Sequence, residues 1–499
     1  MNLRSRWAWG LALGFVLLQA ALLEGRPVPS VNEPVYLARL VADGNPGFLP
    51  GDWTFAAHDA EHFLFNLIFA PLTRLIPIEA LAWLGRFACW LAVCAGAFRL
   101  ARKLELSPLV AAVGLTGWLA IGQSFVAGSW MVGGFESKCV AYALLLFSMC
   151  DMLDRRHMRG AALLGGVAAF HAAVGLWGGV AIAALLLTQR LPVTRLLTMA
   201  ALTVAVSLPG SLPLMLSMAG GGAGAADWGY QVTVRMPHHL DPASWPLRYI
   251  IGLFSLFAFN LLCAWSERDR EVFRGLAAFE TALASAFMGG LLCRAVEAWD
   301  LLRLFPFRLF AVFTPLLFAF WLARRLTVAR PRFTPAVVAA GIVALLWLPN
   351  PFLGWMTRAH GITQEWRAER RPDPLHEVMG WVAGNTPADA VAIAPPFEAR
   401  WALEARRSSV GSWKAIRYDD LPGWEARMRG LLGGELPADR RALPDRYRAM
   451  SIEQARELAR RYGATVWVVD AERDLPLLHR SGRWNVYALG SADLNATAP

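Results

Sequence analysis

Long apolar runs recur along the first 350 residues and are separated by short polar connections. A helix that crosses a bilayer needs about 20 mostly apolar residues. Eleven spans are predicted on this basis, at residues 7–23, 80–98, 107–126, 137–153, 160–171, 172–188, 194–216, 247–265, 275–293, 306–323 and 333–350. The uncharged stretch 160–188 is too long for one helix, and we interpret it as two short or broken helices. The predicted fold is therefore a polytopic, all-α membrane domain over residues 1–350.

Basic residues set the orientation of these helices, because short cytoplasmic loops are enriched in arginine and lysine. Arg4 and Arg6 place the N-terminus in the cytoplasm. We prefer a retained first helix to a cleavable signal peptide, because no small-residue cleavage site follows it cleanly. Alternate loops then carry basic clusters: Arg99/Arg102/Lys103, Arg155/Arg156/Arg159, Arg190/Arg195, Arg268/Arg270/Arg274 and Arg324/Arg325/Arg330/Arg332. Eleven crossings place the C-terminus outside.

The apolar run Phe63–Pro77 is excluded from the spans. It is short and is broken by Pro71, Arg74 and Pro77. If it crossed the membrane, the basic stretch Arg99–Lys103 would fall outside, against the orientation rule. Residues 24–79 are therefore predicted to be one long outer loop that contains interfacial helices.

The last part of the chain has a different composition. Of the 86 charged residues, 40 lie in Arg358–Pro499. Helical signals at 374–383 and 451–462, with Ser451 as the cap, alternate with strand signals at 390–394, 465–469 and 484–489. Residues 351–499 are therefore predicted to form a small α/β domain in the periplasm of a bacterium. Here 409–414 and 424–427 mix aromatic and charged residues, which is typical of a sugar-binding surface or of ordinary packing.

The net charge of +10 is accounted for by the loop arginines, so nucleic acid is not a predicted partner. Arginine is used almost exclusively, since the only lysines are Lys103, Lys138 and Lys414, which is typical of a GC-rich bacterial genome. The six cysteines lie in or beside apolar runs without metal-ligand spacing, and we interpret them as buried apolar residues.

The outer loop concentrates acidic residues among aromatic ones. The acids are Glu33, Asp43, Asp52, Asp59 and Glu61, and the aromatic residues are Tyr36, Trp53, Phe55 and Phe63. A partly desolvated carboxylate at the membrane surface suits a general base. The alternative is that carboxylates are the ordinary polar groups of an outer loop.

Ionisable residues also lie near the predicted outer helix ends. Glu136 and Lys138 form either a functional pair or an ion pair that joins two helices. Arg86, Arg303 and Arg308 could form a basic pocket for a lipid-linked phosphate with Lys138, or extend individually to the headgroups. The remaining candidates for contacts with phosphate or sugar are His171, Arg235, His238 and His239, each of which has a structural alternative. Mid-span Glu280 is expected to be protonated or paired.

The arrangement resembles the GT-C superfamily of membrane glycosyltransferases that use polyprenyl phosphate donors. The likeness covers the order of a first helix, an acidic outer loop, many spans and an external α/β domain. The local pattern resembles an uncharacterised bacterial branch through Asn32-Glu33-Pro34, His58-Asp59, Phe135-Glu136-Ser137-Lys138, His238-His239-Leu240 and Ser412-Trp413-Lys414.

The resemblance implies transfer of a sugar from a polyprenyl phosphate or pyrophosphate to an acceptor. It implies that Glu33 activates the acceptor, and that Asp59 or Glu61 binds acceptor or a divalent cation. It also implies that Arg86, Lys138, Arg303 and Arg308 hold the lipid phosphate. The loop departs from the family because Asn32 precedes Glu33, where an acidic pair would be expected.

Other functions remain open at the level of sequence. A transporter or flippase of lipid-linked glycans would show internal repeats and broken midplane helices. A polymerase or ligase of surface polysaccharide would use similar donors, and a scaffold would only bind partners through its outer domain. No nucleotide-binding loop is present, which argues against ATP-driven transport by this chain alone.

Overall fold

The computed structural model describes residues 3–57, 59–219, 228–327, 339–341, 343 and 350–489. The chain forms two compact units. The first comprises Met1–Arg26, Leu84–Leu212 and Asp227–Glu365, and the second comprises Pro27–Trp83, Pro213–Ala226 and Trp366–Pro499. Residues 27–77 of the predicted outer loop thus belong to the same unit as residues 366–499, and we call them the acidic segment. The predicted boundary at residue 350 stays a prediction.

Helices make up most of the described chain. The longer ones are α1 (Leu3–Glu24), α2 (Glu33–Gly44), α3 (Phe63–Phe69), α4 (Ile78–Lys103), α5 (Pro108–Ala120), α6 (Ser137–Leu153), α7 (His157–Phe170), α8 (Ala172–Leu187), α9 (Val193–Ala219), α10 (Leu247–Ser266), α11 (Glu271–Ala295), α12 (Arg308–Thr327), α13 (Pro351–Glu369), α14 (Pro374–Asn385), α15 (Leu421–Leu431), α16 (Leu443–Arg448) and α17 (Ile452–Tyr462). Shorter helical segments are Ala70–Arg74, Trp228–Tyr230, Gln231–Arg235, Pro237–Leu240, Pro242–Ser244, Trp299–Leu302, Trp401–Glu404 and Arg440–Ala442.

Six helices of the described chain, α1, α4, α9, α10, α11 and α12, are long and apolar enough to cross a membrane. The protein is therefore a multi-pass membrane protein. Helices also occupy the predicted spans 107–126, 137–153, 160–171 and 172–188, but they have only 13, 17, 14 and 16 residues. The predicted span 333–350 lies almost entirely outside the described residues. A total of eleven spans is thus not established.

The predicted break within 160–188 is confirmed. Helix α7 ends and α8 begins on either side of His171, whose backbone is extended with φ −155° and ψ 104°. An extended residue cannot continue the helical hydrogen-bond ladder, so each half forms a separate short helix.

The mid-span carboxyl group of Glu280 has a partner inside the bundle, as expected. Asn260 Nδ2 donates to Glu280 Oε1 at 2.8 Å and to the backbone oxygen of Thr314 at 3.1 Å. These contacts link α10, α11 and α12, and they satisfy polar groups that hydrocarbon surroundings would leave without water.

In the second unit, the acidic segment contains no spanning helix among its described residues. The run Phe63–Pro77 forms α3, with seven residues, and a 3-10 helix of five residues, Ala70–Arg74. Twelve residues in these conformations reach roughly 20 Å, less than the bilayer thickness. The prediction that this run does not cross is therefore consistent with its structure.

The C-terminal residues form a small α/β fold, as predicted. Its strands are β1 (Val391–Ile393), β2 (Ser408–Ser409), β3 (Ala464–Val469), β4 (Leu477–Ser481) and β5 (Trp484–Ala488). They are ordered β2-β1-β3-β5-β4, with β2, β1 and β3 parallel and the last two antiparallel to their neighbours. The predicted cap of α17 is confirmed, because Ser451 and Gln454 form a reciprocal capping box.

Candidate functional site

In the first unit, a basic group forms where α12 begins. Arg308 is the first residue of α12, and its Nη1 lies 2.8 Å from Nε2 of His171 at the break between α7 and α8. The guanidinium also lies 4.1 Å from the centre of the Phe305 ring. Within the described residues, no carboxylate lies within ion-pairing distance of Arg308, so its charge is directed at neutral groups.

A pair of histidines lies beside this arginine. His239 Nδ1 is 2.8 Å from the backbone oxygen of Ala127, and the His238 and His239 rings are 4.0 Å apart. Gly128 has φ +51°, and a Cβ there would lie 3.0 Å from His239 Nδ1, so the close approach favours glycine. Burial, with His238 and Arg308 adding to it, lowers the pKa of His239 well below its usual range. His239 is therefore a neutral hydrogen-bonding group at neutral pH.

Lys138 and Glu136 form the ion pair that the sequence left as one alternative. Lys138 Nζ is 3.0 Å from Glu136 Oε2 and 3.5 Å from the centre of the Trp130 ring. Both side chains are buried. The Lys138 charge also contributes to the lowered pKa of His239, which places the pair within electrostatic reach of the histidines.

The other predicted phosphate ligands also contact residues outside this group. Arg86 is fully buried and donates to the backbone oxygen of Arg26 at 2.5 Å. Arg303 lies 5.7 Å from the centre of the Trp228 ring, and Arg235 is a buried residue at the end of a π-helical turn. The structure thus brings together one subset of the predicted group: Arg308, His171, Glu136, Lys138, His238 and His239. We name this subset the basic cluster.

In the second unit, the acidic segment encloses a cavity of about 480 Å³. Its polar lining includes the carboxylates of Asp43, Asp52 and Asp59 and the amide of Asn66, and its aromatic lining is Phe48, Phe55 and Phe63. Asn66 is buried, and its Oδ1 has no hydrogen-bond partner among the described residues. Carboxylates accept hydrogen bonds from hydroxyl groups, while aromatic faces cover apolar surfaces of a ligand.

Asp59 belongs to a chain of hydrogen bonds within this segment. Its Oδ2 is 2.9 Å from His62 Nδ1, and His62 Nε2 is 3.1 Å from the Tyr36 hydroxyl. Burial raises the pKa of Asp59, but His62 and Arg39 outweigh it and bring the pKa to about 2. Asp59 is therefore ionised at neutral pH and holds the imidazole in place, as a carboxylate does in carboxylate–histidine pairs.

Asp52 has the opposite electrostatic setting. It is 4% exposed, and burial raises its pKa against hydrogen bonds from the backbone of Ser409 and Thr54. Its Oδ2 accepts from Ser409 N at 3.1 Å, and its Oδ1 accepts from Thr54 N at 2.8 Å. Two carboxylates of one cavity thus have pKa values shifted in opposite directions.

The remaining predicted acids are placed differently. Glu33 is fully buried at the start of α2, where its Oε2 accepts from the backbone nitrogen of Ser30 at 2.9 Å. Glu61 is exposed, and its backbone nitrogen donates to Asp59 Oδ1 at 3.1 Å. Among the described residues, no three His, Cys, Asp or Glu side chains are grouped closely enough to hold a metal ion. The roles of Glu33 and Glu61 stay predictions.

Sequence reasoning named Tyr36 and Trp53 only as aromatic residues of the loop, and it assigned no role to His62 or Asn66. The spacing of Asp59 and His62, three residues apart, was the available signal, because such a pair meets on one turn. In the C-terminal residues, Trp413 and Trp424 are buried with ring centres 5.5 Å apart, so these aromatics serve packing.

Comparison with known proteins gives limited matches. Residues 373–431 match a family described as a domain of unknown function, DUF6798. No curated protein matches the chain. Among solved structures, the chain is similar to the arabinofuranosyltransferase AftD from Mycobacteria, determined by single-particle cryo-EM, with 15% sequence identity and a TM-score of 0.49. The match covers 99% of this chain and spans 40% of the other, and a likeness at this level does not assign an activity.

Proposed function

We propose that the protein is a membrane glycosyltransferase that moves a sugar from a polyprenyl phosphate or pyrophosphate donor to an acceptor hydroxyl. The observation that carries the proposal is the basic cluster, where Arg308 contacts His171 and has no carboxylate partner among the described residues. A cation kept without a counter-charge at the end of an apolar helix is suited to an anionic group at headgroup depth.

The chemistry of the basic cluster fits a phosphate ester. Arginine donates through a planar fork that matches phosphate oxygens. His239 Nδ1 donates to the backbone oxygen of Ala127, so the neutral ring leaves Nε2 as an acceptor, which suits a sugar hydroxyl rather than a phosphate oxygen. Lys138 is balanced by Glu136, so Arg308 supplies most of the uncompensated charge.

The acidic segment is proposed to bind the acceptor and to take up its proton. Asp59 lines the cavity and is paired with His62, so the pair can accept a proton and stabilise it. The acceptor oxygen attacks the anomeric carbon while the bond from that carbon to the phosphate oxygen breaks. The leaving phosphate keeps the electron pair, and Arg308 stabilises its charge. Glu33 remains the alternative base.

We propose a location in a bacterial inner membrane, with both functional regions facing the periplasm. The proposal follows from the charge distribution of the loops and from the predicted orientation. Polyprenyl-linked donors are lipids, so a protein that uses them must meet them at the bilayer.

The test is transfer from polyprenyl-phosphate-linked sugars by the purified protein in lipid nanodiscs. We expect transfer by the wild type, with Arg308→Ala and Asp59→Asn each reducing it strongly. Arg248→Ala is the matched control, because Arg248 also lies at the start of an apolar helix, α10, and is exposed. Equal affinity of wild type and Arg308→Ala for undecaprenyl phosphate would reject the phosphate site.

A transporter of lipid-linked glycans is the second candidate, and one observation favours it. The α7–α8 pair is interrupted at His171, and interrupted helices line substrate sites in transporters. Movement of a fluorescent polyprenyl-linked glycan across proteoliposomes, without transfer to an acceptor, would select this alternative.

A further inference from the structure

Trp53 of the acidic segment is held by residues of the region that matches the family of unknown function. Its ring centre lies 5.3 Å from the Arg417 guanidinium and 4.7 Å from that of Arg427. Its Nε1 donates to Asp420 Oδ2 at 3.2 Å, and Arg417 Nη1 donates to the Trp53 backbone oxygen at 3.3 Å. All of these partners lie within residues 373–431.

Asp420 connects Trp53 to the framework of this region. Its Oδ1 accepts from Gly423 N at 2.9 Å and caps α15, while its Oδ2 accepts from Trp53. Both oxygens of the cap are therefore used, one for the helix and one for the acidic segment. A helix cap is fixed by backbone geometry, so the indole is tied to a rigid point.

Asp52 makes a second attachment next to the first. Its carboxylate accepts from the backbone nitrogen of Ser409 in β2, at 3.1 Å. Strand β2 pairs with β1, so this attachment reaches the sheet itself.

The packing between the same two regions is close. Pro34, Ala38 and Phe55 face Ala394 and Trp401 across a cavity of only about 20 Å³, which has room for roughly one water molecule. A ligand-binding cleft is not available there, because the acidic segment packs against this part of residues 373–431.

The attached residues also form the wall of the larger cavity. Leu49, Gly51, Asp52 and Phe55 line the space of about 480 Å³ that Asp59 borders. A shift of the backbone near Trp53 would therefore change the shape of this cavity and the position of the carboxylates in it.

We infer that residues 373–431 act as an intramolecular platform that fixes the acidic segment, with Trp53 and Asp52 as positioning residues for the cavity that Asp59 borders. The arginines that could bind a ligand on this surface, Arg417 and Arg427, are used to hold Trp53. The consequence for catalysis rests on the proposed function, whereas the platform itself does not.

Hydrogen–deuterium exchange in the full-length protein tests the platform. In Trp53→Ala we expect faster exchange in residues 46–57 and unchanged exchange in α17. Trp53→Phe keeps the ring between the arginines but loses the bond to Asp420, and we expect an intermediate rate. Trp265→Ala is the matched control, because this exposed tryptophan stacks on Arg268 in the first unit, with 4.6 Å from guanidinium to ring centre.

Transfer kinetics of the same variants test positioning. We expect Trp53→Ala to lower kcat about 100-fold, since small misplacements have effects of this size, with KM for the donor little changed. Trp53→Phe should recover most of the rate.

The outcomes separate the two proposals. Unchanged exchange in residues 46–57 of Trp53→Ala would overturn the platform. Faster exchange with an unchanged kcat would overturn the positioning role. A wild type without transfer activity would reject the proposed function, while the exchange experiment would still decide the platform.

Discussion

The two ends of α12 carry arginines in opposite electrostatic surroundings. Near its C-terminal end, Arg324 is 3% exposed and donates to Glu105 at 2.9 Å and to Glu267 at 2.7 Å. At its N-terminal end, Arg308 contacts an imidazole and an aromatic ring, and no carboxylate lies within ion-pairing distance in the described part of the chain. The helix is the same, so the difference lies in the neighbours.

This difference separates structural charge from charge that is available for binding. Arg99 is neutralised in the same way as Arg324, by Asp151 and Asp154. Buried pairs of this kind hold elements in register but leave no net charge for a ligand. The charge of Arg308 is not paired in this way. An unpaired charge costs free energy, and binding of an anionic lipid group would offset this cost.

The largest expected effect comes from Arg324→Ala. The change leaves Glu267 without its closest partner, and breaking such a buried pair costs about 3 kcal/mol. Arg308→Ala should leave the stability nearly unchanged, because it removes no ion pair. Thermal unfolding in detergent measures both variants, and equal losses of Tm would remove the distinction between the two ends.

A carboxylate introduced beside Arg308 should pair with it, as Glu105 and Glu267 pair with Arg324 at the other end of α12. In His171→Glu the new side chain would pair with Arg308, and we expect the affinity for undecaprenyl phosphate to fall roughly 10- to 100-fold, as expected for a lost charged contact. His171→Gln, which keeps a neutral partner, should bind within a few-fold of wild type. Isothermal titration distinguishes them, and tighter binding by His171→Glu would contradict the assignment.

Sequence patterns predicted those features that depend on neighbouring residues. Apolar runs predicted the long helices, and Ser451 with its helix start predicted a cap, because both signals are local. The break at His171 followed from the length of the uncharged run and from the basic residues at both of its ends. The pairing of Asp52 with Ser409 joins residues 357 positions apart, and nothing in either segment specifies its partner.

Residue types could not by themselves distinguish paired from available charge. Lys138 and Arg308 were equivalent candidates in the sequence, yet one is balanced by Glu136 and the other contacts His171. Glu33 was favoured as the first acid after a helix, whereas its full burial against Ser30 depends on the tertiary fold.

Asp59 and Asp52 of the acidic segment show a related contrast. Asp59 is paired with His62, whereas Asp52 is buried and accepts from backbone nitrogens. His62→Ala removes the main partner of Asp59, so burial would dominate and the pKa of Asp59 would rise from about 2. The wild-type pair contributes stability that is present above about pH 4 and is lost as the pH falls towards 2. In His62→Ala the folded-state pKa of Asp59 would approach or pass its unfolded value, so we expect this acid-dependent loss to shrink, and unfolding curves from pH 2 to 6 would show a shallower acid limb. An unchanged acid limb would contradict the pairing.

The smallest effect is expected at Asp52, whose contribution to stability changes with pH in the opposite direction to that of Asp59. Because burial raises the pKa of Asp52 above its ordinary value, the folded state binds the proton more tightly than the unfolded state does. Stability from this group is therefore full below about pH 4 and declines as the pH rises through the folded-state pKa.

Asp52→Asn removes this decline but keeps only one of the two acceptor bonds to Ser409 and Thr54, so the two changes should nearly cancel at pH 7, to within about 1 kcal/mol. Asp52→Ala loses both bonds and should be less stable at every pH. The difference in Tm between wild type and Asp52→Asn, followed from pH 4 to 8, isolates this group from the other titrating residues. If that difference does not change with pH, Asp52 is ionised throughout, and the opposition between it and Asp59 does not hold.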